Sequence, residues 1–319
     1  MGDIYIGLIS GTSMDGIDAA LVNIEESSLE VLRTHQHDYP AELGRQLAAA
    51  KLDASIRTFD DVADLHRQVG ECFRDAAKAL LDTAGLESSA VAAIGSHGQT
   101  IRHEPNIDDP FSLQIGDANI IASGTGISTI ADFRSADIAQ GGQGAPLAPA
   151  FHEWLFDKDG STRVVLNLGG IANITVLHGG DAPTTGFDTG PANTLMDAWI
   201  ARHRDEPFDR DGNWAVQGEV SPDLLTILLA DPYFSAPPPK STGFEYFNLE
   251  WLDAAGVDDY DPVDVQATLS ALTTRSVADA VKEHAPGASD LFVCGGGVHN
   301  SDLMQRLGAA LPGTRVHST

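Results

Sequence analysis

One layout occurs twice in this chain and restricts its fold more than any other feature. Residues 7–22, GLISGTSMDGIDAALV, run from an apolar stretch through a turn of Gly, Thr, Ser and Asp into a second apolar stretch. Residues 163–180, RVVLNLGGIANITVLHGG, repeat that order around a Gly-Gly turn. Apolar runs of this length bounded by glycine and small polar residues predict strand–turn–strand units. A duplicated unit predicts two similar halves, which can close on a ligand between them. At 319 residues the chain has the length for two domains.

The remaining pattern alternates strands and helices, which predicts an α/β fold. Strands are expected over 3–9, 17–24 and 30–37, followed by an amphipathic helix over 59–84 with Gly85 as its C-cap. Three stretches, 91–103, 111–126 and 128–134, read as short strands or helices ending in polar turns, and 138–150 as a breaker-rich loop leading into a short helix. In the second module, helices are expected over 190–203, near 222–229 and over 264–284. The stretch 235–248, SAPPPKSTGFEYFN, is a rigid proline-rich loop, and 291–307 reads strand, Gly-rich turn, helix.

Charge excludes one class of partner. Acids outnumber bases 46 to 19, a formal charge of −27, and only five of the bases are lysines. Such a surface repels a phosphate backbone, so no nucleic-acid partner is expected. The Lys-poor, acidic surface points to a high-salt cytoplasm, where screening blunts self-repulsion. A hydrophobic content of 42% fits a soluble globular chain, and no apolar run approaches a membrane span. The N-terminus lacks the basic region and the small-residue cleavage site of a signal peptide, so none is expected. Cys72 and Cys294 lie far apart, so no structural disulfide is expected and the cytoplasm is the default compartment.

Four stretches carry candidate chemistry. In GTSMDG the backbone N–H groups of residues 11–16 and the hydroxyls of Thr12 and Ser13 form a donor-rich concavity suited to phosphate oxygens. Asp15 and Asp18 would repel a bare phosphate and make sense if Mg²⁺ lies between them and a triphosphate; an ordinary polar turn is the alternative. NLGGIAN (167–173) permits close backbone approach, and its weight comes from sharing the context of the first turn. CGGGVHN (294–300) places consecutive glycines ahead of a helix, a ready anion site, though it lacks the dinucleotide fingerprint. Asp188, in TTGFDTGPANTLMD, is either a general base flanked by glycines or a cap for the following helix. His97 could line a pocket; the spacing of the histidines predicts no zinc site, and no serine or cysteine nucleophile motif is present. The four tryptophans read as packing residues.

Taken in order, IGLISGTSMDGIDAALV, GSHGQT, QIGDAN, ADFR, QGAPLAP, NLGGIANIT, GFDTGPANTLMD, PPKSTGFEYFN, DVQATL and VCGGGVHN resemble the anhydro-N-acetylmuramic acid kinase family, of the actin-like ATPase and sugar-kinase superfamily. The resemblance spans nearly the whole chain. It implies two ribonuclease-H-like domains around a central cleft with ATP at its floor, over residues 1–134 and 135–319. Gly11, Thr12, Ser13, Met14, Asp15, Gly16, Ile17 and Asp18 would form the first phosphate loop. Asn167, Gly169, Gly170 and Asn173 would form the second, and Gly295, Gly296, Gly297 and Asn300 the adenosine-side turn. Asp188 matches the family's base. Asp18, and less directly Asp15, would orient Mg²⁺ through water; Arg134 would bind the sugar's lactyl carboxylate, with His97, Gln99 and Thr100 on the sugar. The implied reaction uses ATP and water to open 1,6-anhydro-N-acetylmuramic acid and phosphorylate its 6-oxygen in peptidoglycan recycling. A homodimer is implied, and a regulatory ATP-binding protein of the same superfamily is the alternative. The family continues beyond the adenosine-side turn with a strand and a Glu- and Ala-rich helix, whereas this sequence ends at GTRVHST, so exposed apolar surface is expected beside 315–317.

Overall fold

The two hairpins initiate two sheets in a computed structural model, which describes all residues except 1, 12, 13, 15, 52–57, 106, 157–159 and 181. The chain divides into two compact units, Met1–Leu147 and Ala148–Thr319.

In the first unit, β1 (Asp3–Ser10), β2 (Gly16–Ile24) and β3 (Leu29–Asp38) form an antiparallel meander. Its alternation is that of a sheet covered on one face: Ile6, Leu8 and Ser10 of β1 and Ile17, Ala19 and Leu21 of β2 point inward, while Ile9 and Asp18 are exposed. Helices α1 (Ala41–Lys51) and α2 (Phe59–Ala84) follow. Along α2, Leu65, Val69, Phe73, Ala76, Ala77 and Leu80 recur at helical spacing and are buried. Thr58 and Asp61 form a reciprocal capping box at its start, and Gly85, with φ of 66°, ends it in the left-handed region. Next come β4 (Val91–Glu104), β5 (Phe111–Ile115), α3 (Ala118–Thr125), β6 (Thr129–Ala131) and α4 (Phe133–Ala139). β4 runs parallel to β1 and carries both the antiparallel β5 and the parallel β6.

The second unit opens with α5 (Ala148–Phe156) and the meander β7 (Arg163–Leu168), β8 (Ile171–Leu177) and β9 (Thr185–Pro191). Then come α6 (Asn193–Arg204), α7 (Pro222–Leu229), α8 (Pro232–Ser235), α9 (Leu249–Asp253) and α10 (Pro262–His284). The unit closes with β10 (Asp290–Cys294), α11 (Ser301–Ala310) and β11 (Arg315–Ser318). β10 lies parallel to β7, and β11 parallel to β10. The strand orders β3-β2-β1-β4-β6 and β9-β8-β7-β10-β11 are therefore the same arrangement, three antiparallel strands followed by two parallel ones. The duplication seen in the sequence is structural, and each half has the ribonuclease-H-like order. Val164, Leu166, Ile174, Val176, Trp199, Leu269 and Val293 form part of the second unit's core.

Two sequence expectations shift. Residues 135–147, assigned to the second module, pack with the first, because Arg134 bonds back to Gly144 and Ser135 to Ser112. The helix expected from residue 190 starts at Asn193, because Gly190 and Pro191 still belong to β9. Pro191 is tolerated there because β9 is an edge strand. Both cysteines are free thiols.

Candidate active site

The first turn connects β1 to β2, and of its residues Thr12, Ser13 and Asp15 lie outside the described residues. Met14 sits at φ of 56° with its side chain in the core, and Ile17 is fully buried, so both can offer a ligand only backbone. The turn is braced from β4. Gln99 Nε2 donates to the Gly11 carbonyl at 3.1 Å, and the Ser10 hydroxyl lies 2.7 Å from both Gln99 Oε1 and the Gly16 carbonyl. Gln99 is fully buried and both ends of its amide are engaged. Expected on the sugar, Gln99 here spends both ends of its amide on shaping the turn.

Asp18 sits opposite Ile9 and Gln36 on the exposed face of the sheet. It lines a cavity of about 600 Å³ together with Gly7, Gly95, His97 and Phe133. The His97 ring has a defined tautomer. Its Nε2 accepts from Arg134 Nε at 2.8 Å, which leaves the proton on Nδ1, 2.9 Å from the Gly98 carbonyl. Burial, and then the Arg134 charge, hold His97 below the usual imidazole range, partly opposed by the Gly98 carbonyl. With both nitrogens engaged, His97 orients Arg134, a role the sequence did not reveal. Arg134 also donates from Nη1 to the Gly144 carbonyl at 3.0 Å, and its second terminal nitrogen makes no hydrogen bond among the described residues. The guanidinium is thus aimed and still has donors for an anion. Thr100 accepts from Gln114 Nε2 at 3.1 Å, which leaves its own hydroxyl proton to donate elsewhere.

The second turn, at Gly169 and Gly170, is held against the start of α6. Asn193 Nδ2 donates to the carbonyls of Leu168 and Gly169 at 3.0 and 2.8 Å, and the backbone N–H groups of Ala192 and Thr194 donate to Gly170. A methyl group on Gly170 would lie 2.6 Å from Thr194 Oγ1. The third turn touches the second: a Cβ on Gly295 would lie 2.8 Å from the Leu168 carbonyl, and one on Gly297 would lie 2.6 Å from Leu168 Cβ. The glycines do not run directly into the helix, because Gly296–His299 form a short 3-10 turn first. Asn300 caps α11 by accepting from the Leu303 N–H at 3.2 Å, so its carboxamide oxygen is committed.

Register aligns the rest. Cys294 pairs with Asn167, Asn167 with Asn173, and Asn173 with Asp188, one row across four adjacent strands. Residues paired directly opposite share a sheet face, with Cβ atoms roughly 5 Å apart, so Asn173 and Asp188 are neighbours. Asp188 does not cap α6, whose N-cap, Ala192, has no side-chain bond. Instead Asp188 Oδ2 accepts from the Thr242 N–H at 3.0 Å, its own N–H donates to the Lys240 carbonyl at 3.1 Å, and its carbonyl accepts from the Tyr233 hydroxyl at 2.7 Å. Burial raises the Asp188 carboxyl above the usual carboxylate range, and the Thr242 N–H partly offsets this. Sequence reasoning missed Tyr233, Thr242 and Asn193, since only tertiary contact links them to the site.

Among the described residues, no group of three or more His, Cys, Asp or Glu side chains could hold a metal ion, and no helix is long and apolar enough to cross a membrane.

The profile of the anhydro-N-acetylmuramic acid kinase family matches residues 3–319. The anhydro-N-acetylmuramic acid kinase of Shewanella baltica strain OS223 is 50% identical over 318 residues, covering 99% of this chain and 85% of that protein. That of Coxiella burnetii strain Dugway 5J108-111 is 48% identical over 317 residues, covering 99% and 84%. Among solved structures, the activator of 2-hydroxyisocaproyl-CoA dehydratase from Clostridium difficile, with bound ADPNP, aligns over 99% of this chain and 88% of its own at 13% identity and a TM-score of 0.49.

Proposed function

The chain belongs to the anhydro-N-acetylmuramic acid kinase family, and from that premise we propose that it opens 1,6-anhydro-N-acetylmuramic acid with water and phosphorylates the freed 6-oxygen from ATP. The products are N-acetylmuramic acid 6-phosphate and ADP. The observation that carries the reading is Asp188, a half-buried carboxylate in one row with Asn167 and Asn173, next to the two glycine turns of its unit.

Asp188 takes a proton from water, whose oxygen attacks the anomeric carbon. The bond from that carbon to the 6-oxygen breaks, and the 6-oxygen attacks the γ-phosphorus in line as ADP leaves. A single carboxylate suffices because the phosphoryl group captures the leaving oxygen, the task of the acid in a glycosidase pair. A base raised toward the working pH accepts a proton more effectively, and burial of Asp188 acts in that direction. Phosphoryl transfer then depends on positioning and charge neutralisation. The N–H groups of the turns at Gly11, Gly16, Gly169 and Gly170 are suited to phosphate oxygens, and the turn at Gly295, Gly296 and Gly297, packed on Leu168, would take the adenosine side. Arg134, aimed by His97, receives the lactyl carboxylate, and Thr100 donates to the sugar. Mg²⁺ usually keeps several waters and needs only one or two carboxylates besides the nucleotide phosphates. The exposed Asp18 carboxylate fits that requirement through water, and the ion would supply charge neutralisation at the phosphates. The protein would act in the cytoplasm, where ATP is supplied, as a homodimer.

The test is incubation with Mg-ATP and the anhydro sugar, following ADP and sugar phosphate. Sugar-dependent ADP release is expected, with Asp188→Asn lowering kcat by on the order of 10³-fold. Absence of sugar-dependent ADP would refute the kinase reading, and a full-rate Asp188→Asn enzyme would refute the base.

A further inference from the structure

Three hydrogen bonds reach Asp188 from one short stretch of chain, residues 233–242, and that stretch is closed on itself by a lysine. The Tyr233 hydroxyl holds the Asp188 carbonyl, the Lys240 carbonyl holds the Asp188 N–H, and the Thr242 N–H holds Oδ2. Between these anchors the chain passes through three consecutive prolines, Pro237 to Pro239. The Lys240 ammonium folds back across the stretch, donating to the carbonyls of Tyr233 at 3.0 Å and Phe234 at 3.3 Å, and lies 4.8 Å from the Tyr233 ring centroid.

We propose that Lys240 is a positioning residue for Asp188: its ammonium closes the 233–242 segment into a strap, and the closed strap presents the Thr242 N–H to Asp188 Oδ2. The inference rests on the reading of Asp188 as the base. With Oδ2 held, Oδ1 is the oxygen turned to water.

Placement explains why the effect is indirect. Phe187 and Thr189, the strand neighbours of Asp188, line a cavity of about 170 Å³ together with Lys240, Asp279, Glu283 and His284. Alternation along β9 puts the Asp188 side chain on the opposite face, so the ammonium lies behind the strand. The strap is also seated tightly: at Gly190, φ 147°, a Cβ would lie 2.7 Å from Phe234 Cε1. No side chain larger than hydrogen fits between strand and strap. Lysine suits the task because three donors on one flexible stem can bind two carbonyls and still face an acid. Glu283, across the cavity on α10, supplies that acid, supporting the charged lysine against its partial desolvation.

The consequence is a pH signature. The Thr242 N–H favours the ionised carboxylate, so a slack strap raises the pH below which Asp188 is protonated and idle. The titratable groups facing this assembly are Tyr233 from α8, Asp231 at its N-cap, Tyr246 against the Tyr233 ring, Lys240 from the strap, and Asp279, Glu283 and His284 from α10. Tyr233 is pushed above the usual phenol range by burial, with Asp188 adding to it, so it stays a donor throughout.

The experiment compares Lys240→Met, Lys240→Arg, Tyr233→Phe and Asp188→Asn in the full chain with Mg-ATP and the anhydro sugar. Readouts are kcat, both KM values, the acidic limb of the kcat–pH profile, and thermal melting. Lys240→Met is expected to lower kcat by on the order of 10²-fold, leave the KM for ATP unchanged, and move the acidic limb to higher pH. Lys240→Arg, which keeps charge and donors, is expected to restore most of the rate and the original limb. Unchanged kcat and limb in Lys240→Met overturn the inference, as does a kcat loss with an unmoved limb. If Lys240→Met melts too early to assay, Tyr233→Phe decides: a limb moved to higher pH supports the strap, and a wild-type limb overturns it. An inactive Asp188→Asn beside a wild-type Lys240→Met removes the strap alone, whereas a full-rate Asp188→Asn removes the base reading on which it stands.

Discussion

Gly295→Ala tests whether the turn after β10 is built by contact with the turn after β7. Gly295 sits at φ 83° and ψ 173°, a region essentially reserved for glycine, where another residue costs roughly 1–3 kcal/mol. Space is closed as well: the added Cβ would lie 2.5 Å from Asn167 Oδ1 and 2.8 Å from both the carbonyl carbon and oxygen of Leu168. The carboxamide can swing aside, but the Leu168 backbone is fixed in β7, so one turn must shift. Gly287 supplies the control, because it also has a positive φ, 76°, yet nothing stands within 4 Å of its Cβ position. Gly287→Ala is therefore expected to cost about 1 kcal/mol, and Gly295→Ala about 3 kcal/mol once overlap is added to backbone strain. In a unit of this size each kcal/mol moves the midpoint by about 2–4 °C. Differential scanning calorimetry should then place Gly295→Ala about 6–12 °C below wild type and Gly287→Ala within about 4 °C. Binding of a non-hydrolysable ATP analogue, measured on folded protein well below either midpoint, should weaken at least tenfold in Gly295→Ala and stay unchanged in Gly287→Ala. Equal midpoints for the two variants would show that the overlap with Leu168 is not what makes Gly295 necessary. Unchanged nucleotide affinity in Gly295→Ala would refute the placement of adenosine at this turn.

Two further outcomes follow from charge placement. Asp290, 3% exposed, would be raised by burial, but hydrogen bonds from Arg315, Ser289 and His317 more than offset this and hold its carboxyl well below the usual range. Its stabilisation is therefore complete above the unfolded value near 3.9 and fades as pH falls toward the lower folded value. Because the Arg315 side chain is 72% exposed and can rehydrate, Asp290→Asn should cost about 1–3 kcal/mol at pH 7. The gap to wild type in urea melts should narrow by about 1 kcal/mol between pH 5 and pH 3; a gap independent of pH would contradict the assignment. Arg134→Lys replaces a fork that donates to both His97 and Gly144 with a point charge. The KM for the anhydro sugar should rise about tenfold, the KM for ATP should hold, and a substrate lacking the lactyl carboxylate should not distinguish the two enzymes; equal discrimination by both would place that carboxylate elsewhere.

The parts legible in the sequence are those whose cause is local. The hairpins, α2 from Phe59 to its left-handed Gly85, and the duplication itself follow from spacing and from residues acting within a few positions of one another. The chemistry-bearing residues were legible as types: a carboxylate at 188, glycines at 169, 170 and 295, a guanidinium at 134. What the sequence does not carry is which polar atoms are spent inside the protein. Gln99 and His97 both look like ligand contacts because both are polar and close to glycines. Yet Gln99 is consumed by Gly11 and Ser10, and His97 by Gly98 and Arg134, partners up to 89 positions away. The domain boundary moved for the same reason, since residues 135–147 are held by bonds to Arg134 and to Ser112 of β5 rather than by any signal in their own composition. Asp188 shows the converse. Its sequence neighbourhood fits a helix cap as well as a base; the cap is absent, because Ala192 stands at the N-cap of α6, and the partner of Oδ2 is the Thr242 N–H, 54 positions on. A proline-rich segment with no chemistry of its own thus supplies the partner that fixes the carboxylate, and only the fold brings the two together.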